Sequence, residues 1–196
     1  MKLQIKLMKN RKKIVIALLP ISLLIIILLI SSLDNSEDNN QLGVNSSFSY
    51  APIAIPEDKD FTIRTLLGDQ ISKRDYLGKI IILDFWSSWC IPCIQEGPVL
   101  SNLSKEWSDR NVQFIGVSVW DTKEKVLDFI KQNDIQYPNA IDKNGQIAID
   151  FGVRGIPEKI IIDSKGKIIH RIIGPSTKPS LEKILDQLTT EILKNN

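Results

Sequence analysis

Residues 80–98 read IIILDFWSSWCIPCIQEGP, and no other stretch limits the fold so tightly. Ile80 to Phe85 is apolar and rich in β-branched residues, interrupted only by Asp84, which is the pattern of a strand buried on both faces. Beyond the cysteines Ile94, Val99, Leu100, Leu103 and Trp107 recur at helical spacing. Cys90 and Cys93, the two cysteines of the chain, therefore fall where a buried strand turns into a helix. A strand covered on both faces requires helices or further structure above and below the sheet, so an α/β layered domain is expected.

The flanking pattern agrees. Phe61–Leu67, a turn at Gly68-Asp69 and Gln70–Ser72 predict an N-terminal hairpin. Val112–Val119 predicts the strand after the cysteine helix, closing a βαβ unit, and Lys123–Asn133 carries Val126, Leu127 and Ile130 on one helical face. Residues 137–151 read as a less regular central insertion with a turn at Asn144-Gly145. Lys159–Asp163 and Lys167–Ile173, joined by Ser164-Lys165-Gly166, predict a second hairpin. Residues Pro179–Leu193 predict a closing helix with Leu181, Ile184, Leu185, Leu188 and Ile192 as its core stripe.

The chain of 196 residues suits one domain with appendages, and a net charge of +2 without a basic block gives no reason to expect nucleic acid as a partner. The N-terminus does suggest a membrane. Residues 1–13 are basic (Lys2, Lys6, Lys9, Arg11, Lys12, Lys13), and 14–33 are uncharged and mostly apolar, long enough to span as a helix. The run exceeds a usual signal-peptide core and lacks a small-x-small end, so an uncleaved anchor is preferred to a cleaved leader. The basic flank places the N-terminus in the cytoplasm and residues after 33 outside, giving a single-pass protein of the cell membrane. Residues 34–50, rich in Asn, Ser and Asp, read as a flexible linker, and 51–196 as the folded domain.

At a helix N-terminus, free N–H groups and the helix dipole favour a thiolate, which makes Cys90 the expected nucleophile. Cys93, one turn deeper on the same face, is the expected resolving thiol. A structural disulfide gains little from so short a loop. Zinc needs four ligands, and two thiols with the single His170 do not supply them. No cofactor beyond a redox-active Cys90–Cys93 disulfide is expected, and no metal.

Leu83-Asp84-Phe85-Trp86-Ser87-Ser88-Trp89-Cys90-Ile91-Pro92-Cys93 resembles the W-C-x-P-C signature of thioredoxin-like proteins, in outline over residues 60–193. Phe61–Ser72, the insertion near 135–151 and Gly152-Val153-Arg154-Gly155-Ile156-Pro157-Glu158 are similar to the membrane-tethered TlpA, ResA and CcmG/DsbE branch, the last string most of all to CcmG/DsbE. The resemblance implies a thioredoxin-like mixed sheet with helices on both faces, and protein thiol-disulfide oxidoreductase activity. It implies reduction of disulfide-containing proteins, apocytochrome c among them, with electrons from a transmembrane thiol relay of the DsbD or CcdA type.

The resemblance also assigns residues. Asp84 becomes a buried acid beneath the disulfide, Glu96 a carboxylate that influences thiol protonation, and Ile156-Pro157 a cis peptide facing Cys90 whose Ile156 backbone pairs with a substrate strand. Trp89 and Glu158 join the substrate-binding set. Read from the residues alone, Asp84, Glu96 and Glu158 remain open between these roles and solvent-facing charges. Two rivals differ in class: a peroxiredoxin-like peroxidase, which would want Thr-x-x-Cys where Trp86-Ser87-Ser88-Trp89 stands, and a thiol-dependent metallochaperone or other binding module. A general disulfide reductase or isomerase is the nearer alternative.

Overall fold

The structure is a computed structural model describing residues 19–27 and 43–194. Residues 19–27 are helical and exposed, and among the described residues no helix is long and apolar enough to cross a membrane. The expected span of 14–33 and the basic segment 1–13 lie largely outside the described residues.

Residues 43–194 build a six-stranded mixed sheet in the order β1-β8-β7-β4-β5-β6. The strands are β1 (Ser49–Tyr50), β4 (Ile80–Trp86), β5 (Val112–Val119), β6 (Asn139–Asp142), β7 (Glu158–Ile162) and β8 (Ile168–Ile173). A separate hairpin pairs β2 (Thr62–Arg64) with β3 (Gln70–Ser72). β4 lies at the centre, parallel to β5 and antiparallel to β7, and all seven of its residues are buried. That is the burial which the apolar run anticipates.

Alternation along β4 sends Asp84 and Trp86 to one face and Phe85 to the other. The first face receives α1 (Ile91–Trp107), α2 (Lys123–Gln132) and α4 (Lys178–Lys194): Trp86 stacks on Phe129 of α2, and α1 touches α4. Leu181, Ile184, Leu185 and Leu188 are the buried stripe of α4. On the second face Phe85 packs on Phe151, which follows the short α3 (Gln146–Asp150), and Phe61 from the hairpin packs on Phe151 in turn. Helices do lie on both faces, but the second is covered mainly by the hairpin and one short helix.

Two expectations are corrected. Part of the irregular insertion is a regular edge strand, β6, parallel to β5, and Ala140 at its centre also bridges Thr65 of the hairpin. Its run of four residues is too short for periodicity to reveal. The domain also begins before residue 51. β1 pairs antiparallel with β8 (Ser49 with Ile173, Tyr50 with Ile172), and Val44 bridges Ile156. Backbone pairing holds residues 43–50 and needs no apolar side chains, so a polar composition does not preclude it.

Candidate active site

Cys90 caps α1. Its sulfur accepts the N–H of Cys93 at 3.3 Å, its carbonyl accepts from Ile94 N–H at 2.9 Å, and Pro92 occupies the first turn, where a missing N–H is harmless. Cys90 and Cys93 are joined as a disulfide with their Cα atoms 5.2 Å apart. Asp121, just past β5, fastens the loop that delivers Cys90. It accepts from the N–H and hydroxyl of Ser88 at 2.6 and 3.0 Å, from Ser118 Oγ at 3.0 Å and from Thr122 N–H at 2.8 Å. Sequence reasoning gave Asp121 no role; its signal was a lone acid closing an apolar strand.

Both cysteines are buried, Cys90 only 1% exposed. Around them stands an exposed apolar rim of Trp89, Ile91, Ile94 and Trp120, with the Trp89 indole N–H directed at the Trp120 carbonyl at 3.4 Å. The sulfurs thus lie below an exposed apolar surface.

Beneath the disulfide is a cluster of three charges. Asp84 on β4, Glu96 on α1 and Lys159 on β7 are all buried, and Lys159 faces Asp84 across the β4–β7 ladder. The ammonium of Lys159 bonds both carboxylate oxygens of Glu96, donates to the Gly174 carbonyl at 3.1 Å and stands 4.0 Å from Asp84 Oδ1. Glu96 Oε1 also accepts the Ser176 N–H at 2.7 Å. Asp84 Oδ1 has no hydrogen-bond partner among the described residues. Asp84, Glu96, Cys93 and Tyr137 line a cavity of about 10 Å³, about the smallest that holds one water molecule.

Burial raises the pKa of Asp84 to about 7; Lys159 opposes the rise and the charge of Glu96 adds to it. Burial, with the same two carboxylates, pushes the Tyr137 hydroxyl well above its ordinary range. The solvent-facing alternative is therefore excluded for Asp84 and Glu96. Lys159 was missed: Glu158-Lys159 at a strand start reads as two surface charges, and only the pairing register reveals which face each takes.

The Ile156–Pro157 bond is cis, as the resemblance implies. Continuing the ladder past the pair Phe85–Glu158 brings Pro157 and Ile156 alongside Trp86 and Ser87, at the end of the sheet that leads to Cys90. The Ile156 backbone is not free, however. Its N–H donates to the Gly43 carbonyl at 2.9 Å, and its own carbonyl accepts the Asn45 N–H at 2.6 Å. Glu158 also departs from expectation. Its side chain is buried on the Phe85 face, 2.6 Å from Arg171, which donates to the Gly152 carbonyl at 2.6 Å. Burial raises its pKa and Arg171 opposes the rise. The carboxylate is not on the rim; it braces the 152–158 loop from below.

A sheet of this order, with a cysteine pair at the N-terminus of the helix after its central strand, defines a thioredoxin-like thiol-disulfide oxidoreductase. The chain belongs to the AhpC/TSA family, whose model matches residues 57–171. It is 37% identical over 133 residues to the thiol-disulfide oxidoreductase ResA of Bacillus thuringiensis subsp. konkukian, covering 68% of this chain and 77% of that one. It is 35% identical over 146 residues to the thioredoxin-like protein YneN of Bacillus subtilis, covering 71% and 85%. Its fold is similar to that of a thiol:disulfide interchange protein of the thioredoxin family from Chlorobium tepidum, with TM-score 0.62, 28% identity, and coverage of 71% and 99%.

Two predictions arise from the charge cluster. Because the folded pKa of Asp84 lies above its unfolded value of 3.8, the folded state holds that proton more tightly, so stability is full below about pH 4 and falls as pH rises through about 7. Glu158, also raised, adds a loss of the same sign. Denaturant unfolding of the oxidised protein across this range should show the decline, and Asp84→Asn should flatten it and gain stability at pH 7; an Asn variant with the same slope as the parent would contradict the assignment.

Lys159→Met should raise the apparent thiol pKa of the reduced protein, and Glu96→Gln should lower it, since the two remove opposite charges near Cys93. The Lys159 change should also cost about 3–5 kcal/mol, because it leaves buried carboxylates without a cation. Thiolate absorbance against pH reads both shifts, and shifts of the same sign would refute the electrostatic account.

Proposed function

We propose that this oxidoreductase is a membrane-anchored, extracytoplasmic reductant of protein disulfides that works through Cys90 and Cys93, with cytochrome c maturation as its setting. The observation that carries the redox reading is the Cys90–Cys93 disulfide at the helix N-terminus beneath an exposed apolar rim. In the reduced protein the Cys90 thiolate attacks one sulfur of a substrate disulfide, forming a mixed disulfide and expelling the other substrate sulfur as a thiolate. Cys93 then gives its proton to Asp84 through the small cavity and attacks the Cys90 sulfur, which releases the second substrate thiolate. Two electrons pass to the substrate, whose thiolates are protonated from solvent and from the cluster. The protein is left as the disulfide.

Anchoring through residues 14–33, with the domain outside, is supported by the basic flank followed by a long uncharged run. An oxidising compartment is where a dedicated reductant is needed. The apocytochrome c substrate and a donor of the DsbD or CcdA type rest on the likeness of Gly152–Glu158 to the CcmG/DsbE branch. Trp89 supplies part of the docking rim.

The direction of transfer is tested by the potential of the Cys90/Cys93 pair. Ile91 and Pro92 bring no positive group to the sulfurs, and the cluster below carries no net positive charge when Glu96 and Lys159 are ionised. Equilibration with a dithiol buffer should give a potential near that of thioredoxin, roughly −270 mV, whereas a value above about −180 mV would reverse the assignment to an oxidant or isomerase.

The substrate is tested by Cys93→Ser, which should stall after Cys90 has attacked and accumulate a covalent adduct. An oxidised C-x-x-C-H peptide should be captured in preference to a scrambled disulfide peptide, as mass spectrometry of non-reduced mixtures would read. Equal capture would leave a general reductase and remove the cytochrome assignment.

A further inference from the structure

Gly43, Val44 and Asn45 run along the backbone of the Gly155-Ile156-Pro157 loop. Val44 forms a parallel bridge with Ile156; Gly43 accepts the Ile156 N–H at 2.9 Å, Asn45 donates its N–H to the Ile156 carbonyl at 2.6 Å, and Asn45 Nδ2 donates to the Pro157 carbonyl at 3.2 Å. The path is fitted on both sides. A Cβ at Gly155 would meet the Asn45 side chain, and one at Gly174, whose φ is +84°, would run into the Ser47 carbonyl. Gly155, Ile156 and Pro157 are buried, and so is Asn45.

We infer that residues 43–45 are an internal strap that occupies the strand-pairing edge beside the disulfide, so that a substrate segment pairs with Ile156 only by displacing it. This deepens the proposed reductase reading and rests on it. A backbone N–H serves one good acceptor and the Ile156 carbonyl is already held, so an incoming extended segment and the strap compete for the same two groups. The partner that fits is an extended chain around a disulfide, offering one C=O and, two residues further on, one N–H, as Gly43 and Asn45 do; a small disulfide without a peptide backbone has nothing with which to compete. Among the described residues the strap is fastened by three hydrogen bonds at the start of the domain, and it can leave by local opening, without unfolding the sheet.

The test uses the full chain. Asn45→Pro removes the N–H that binds Ile156, and Asn45→Ala, a milder change, removes only the bond to Pro157. Reduction of a peptide carrying an intramolecular disulfide should become about five- to tenfold faster in Asn45→Pro and about twofold faster in Asn45→Ala, the scale of one or two hydrogen bonds. The rate with 2-hydroxyethyl disulfide should stay within about twofold of the parent's.

In the Cys93→Ser adduct with the same peptide, hydrogen exchange should show the Asn45 amide losing protection while the Ile156 amide keeps it. Equal peptide rates in parent and variants, or an Asn45 amide still protected in the adduct, would overturn the strap while leaving the reductase standing. If neither parent nor variant reduces the peptide, the reductase reading fails and the strap proposal with it.

Discussion

A lysine ammonium buried under a disulfide has to be compensated by every element that surrounds it. Moving an ion of that size out of water costs several kcal/mol even after relaxation, and only close anions and carbonyls offset it. Lys159 finds them on three elements at once: the Glu96 carboxylate from α1, Asp84 from the facing position on β4, and the Gly174 carbonyl from the turn after β8. Glu96 passes the constraint on through the Ser176 N–H, just ahead of α4. One cation thus ties the cysteine helix, the central strand and the approach to the last helix into a single polar core, within a region otherwise packed with Ile, Leu and Phe.

The cluster makes the two sulfurs electrostatically unlike. Cys90 accepts an N–H at the helix cap, where partial positive charge gathers, while Cys93 borders the cavity that Asp84 shares with Glu96 and Tyr137. One sulfur at the helix cap and the other beside a buried acid is a difference of surroundings of the kind that divides nucleophile from proton-exchanging partner. With Glu96 doubly held by Lys159 and Ser176, the unpartnered oxygen of Asp84 is the polar atom of the cluster best placed to exchange a proton through one water. This supports the roles proposed for Cys90, Cys93 and Asp84 more directly than the C-x-x-C spacing does.

How much of this was legible depends on the range of the interaction. The central strand, the cysteine helix, both hairpins and the closing helix are local patterns of period 2 or 3.6, and they were read from the sequence to within a few residues. The cap at Cys90 is likewise local. Lys159 was not readable, because adjacent charges at a strand start differ in fate only through the register with β4, a contact between residues 75 positions apart (Asp84 with Lys159). Glu158 shows the same limit, its partner Arg171 lying on the next strand. β6 escaped because four residues carry no usable period, and residues 43–50 because hydrophobic pattern measures side-chain burial whereas that segment is held by its backbone.

That last segment joins two problems with one physical answer. β8 would otherwise be the open edge of the sheet, and an unpaired edge invites pairing with other chains. β1 covers it at Ile172 and Ile173, and the same stretch, passing Gly174, covers Ile156 beside the disulfide. A strand of only two residues is a weak cover, since short pairings gain little against the entropy of ordering them. At β8 the Ala51 N–H extends this cover by one bond to the Arg171 carbonyl. Over Ile156 the cover is slighter still, a single bridge at Val44, and a segment held so lightly at its inner end fits the proposed release of the Ile156 backbone while the β1–β8 pairing stays closed.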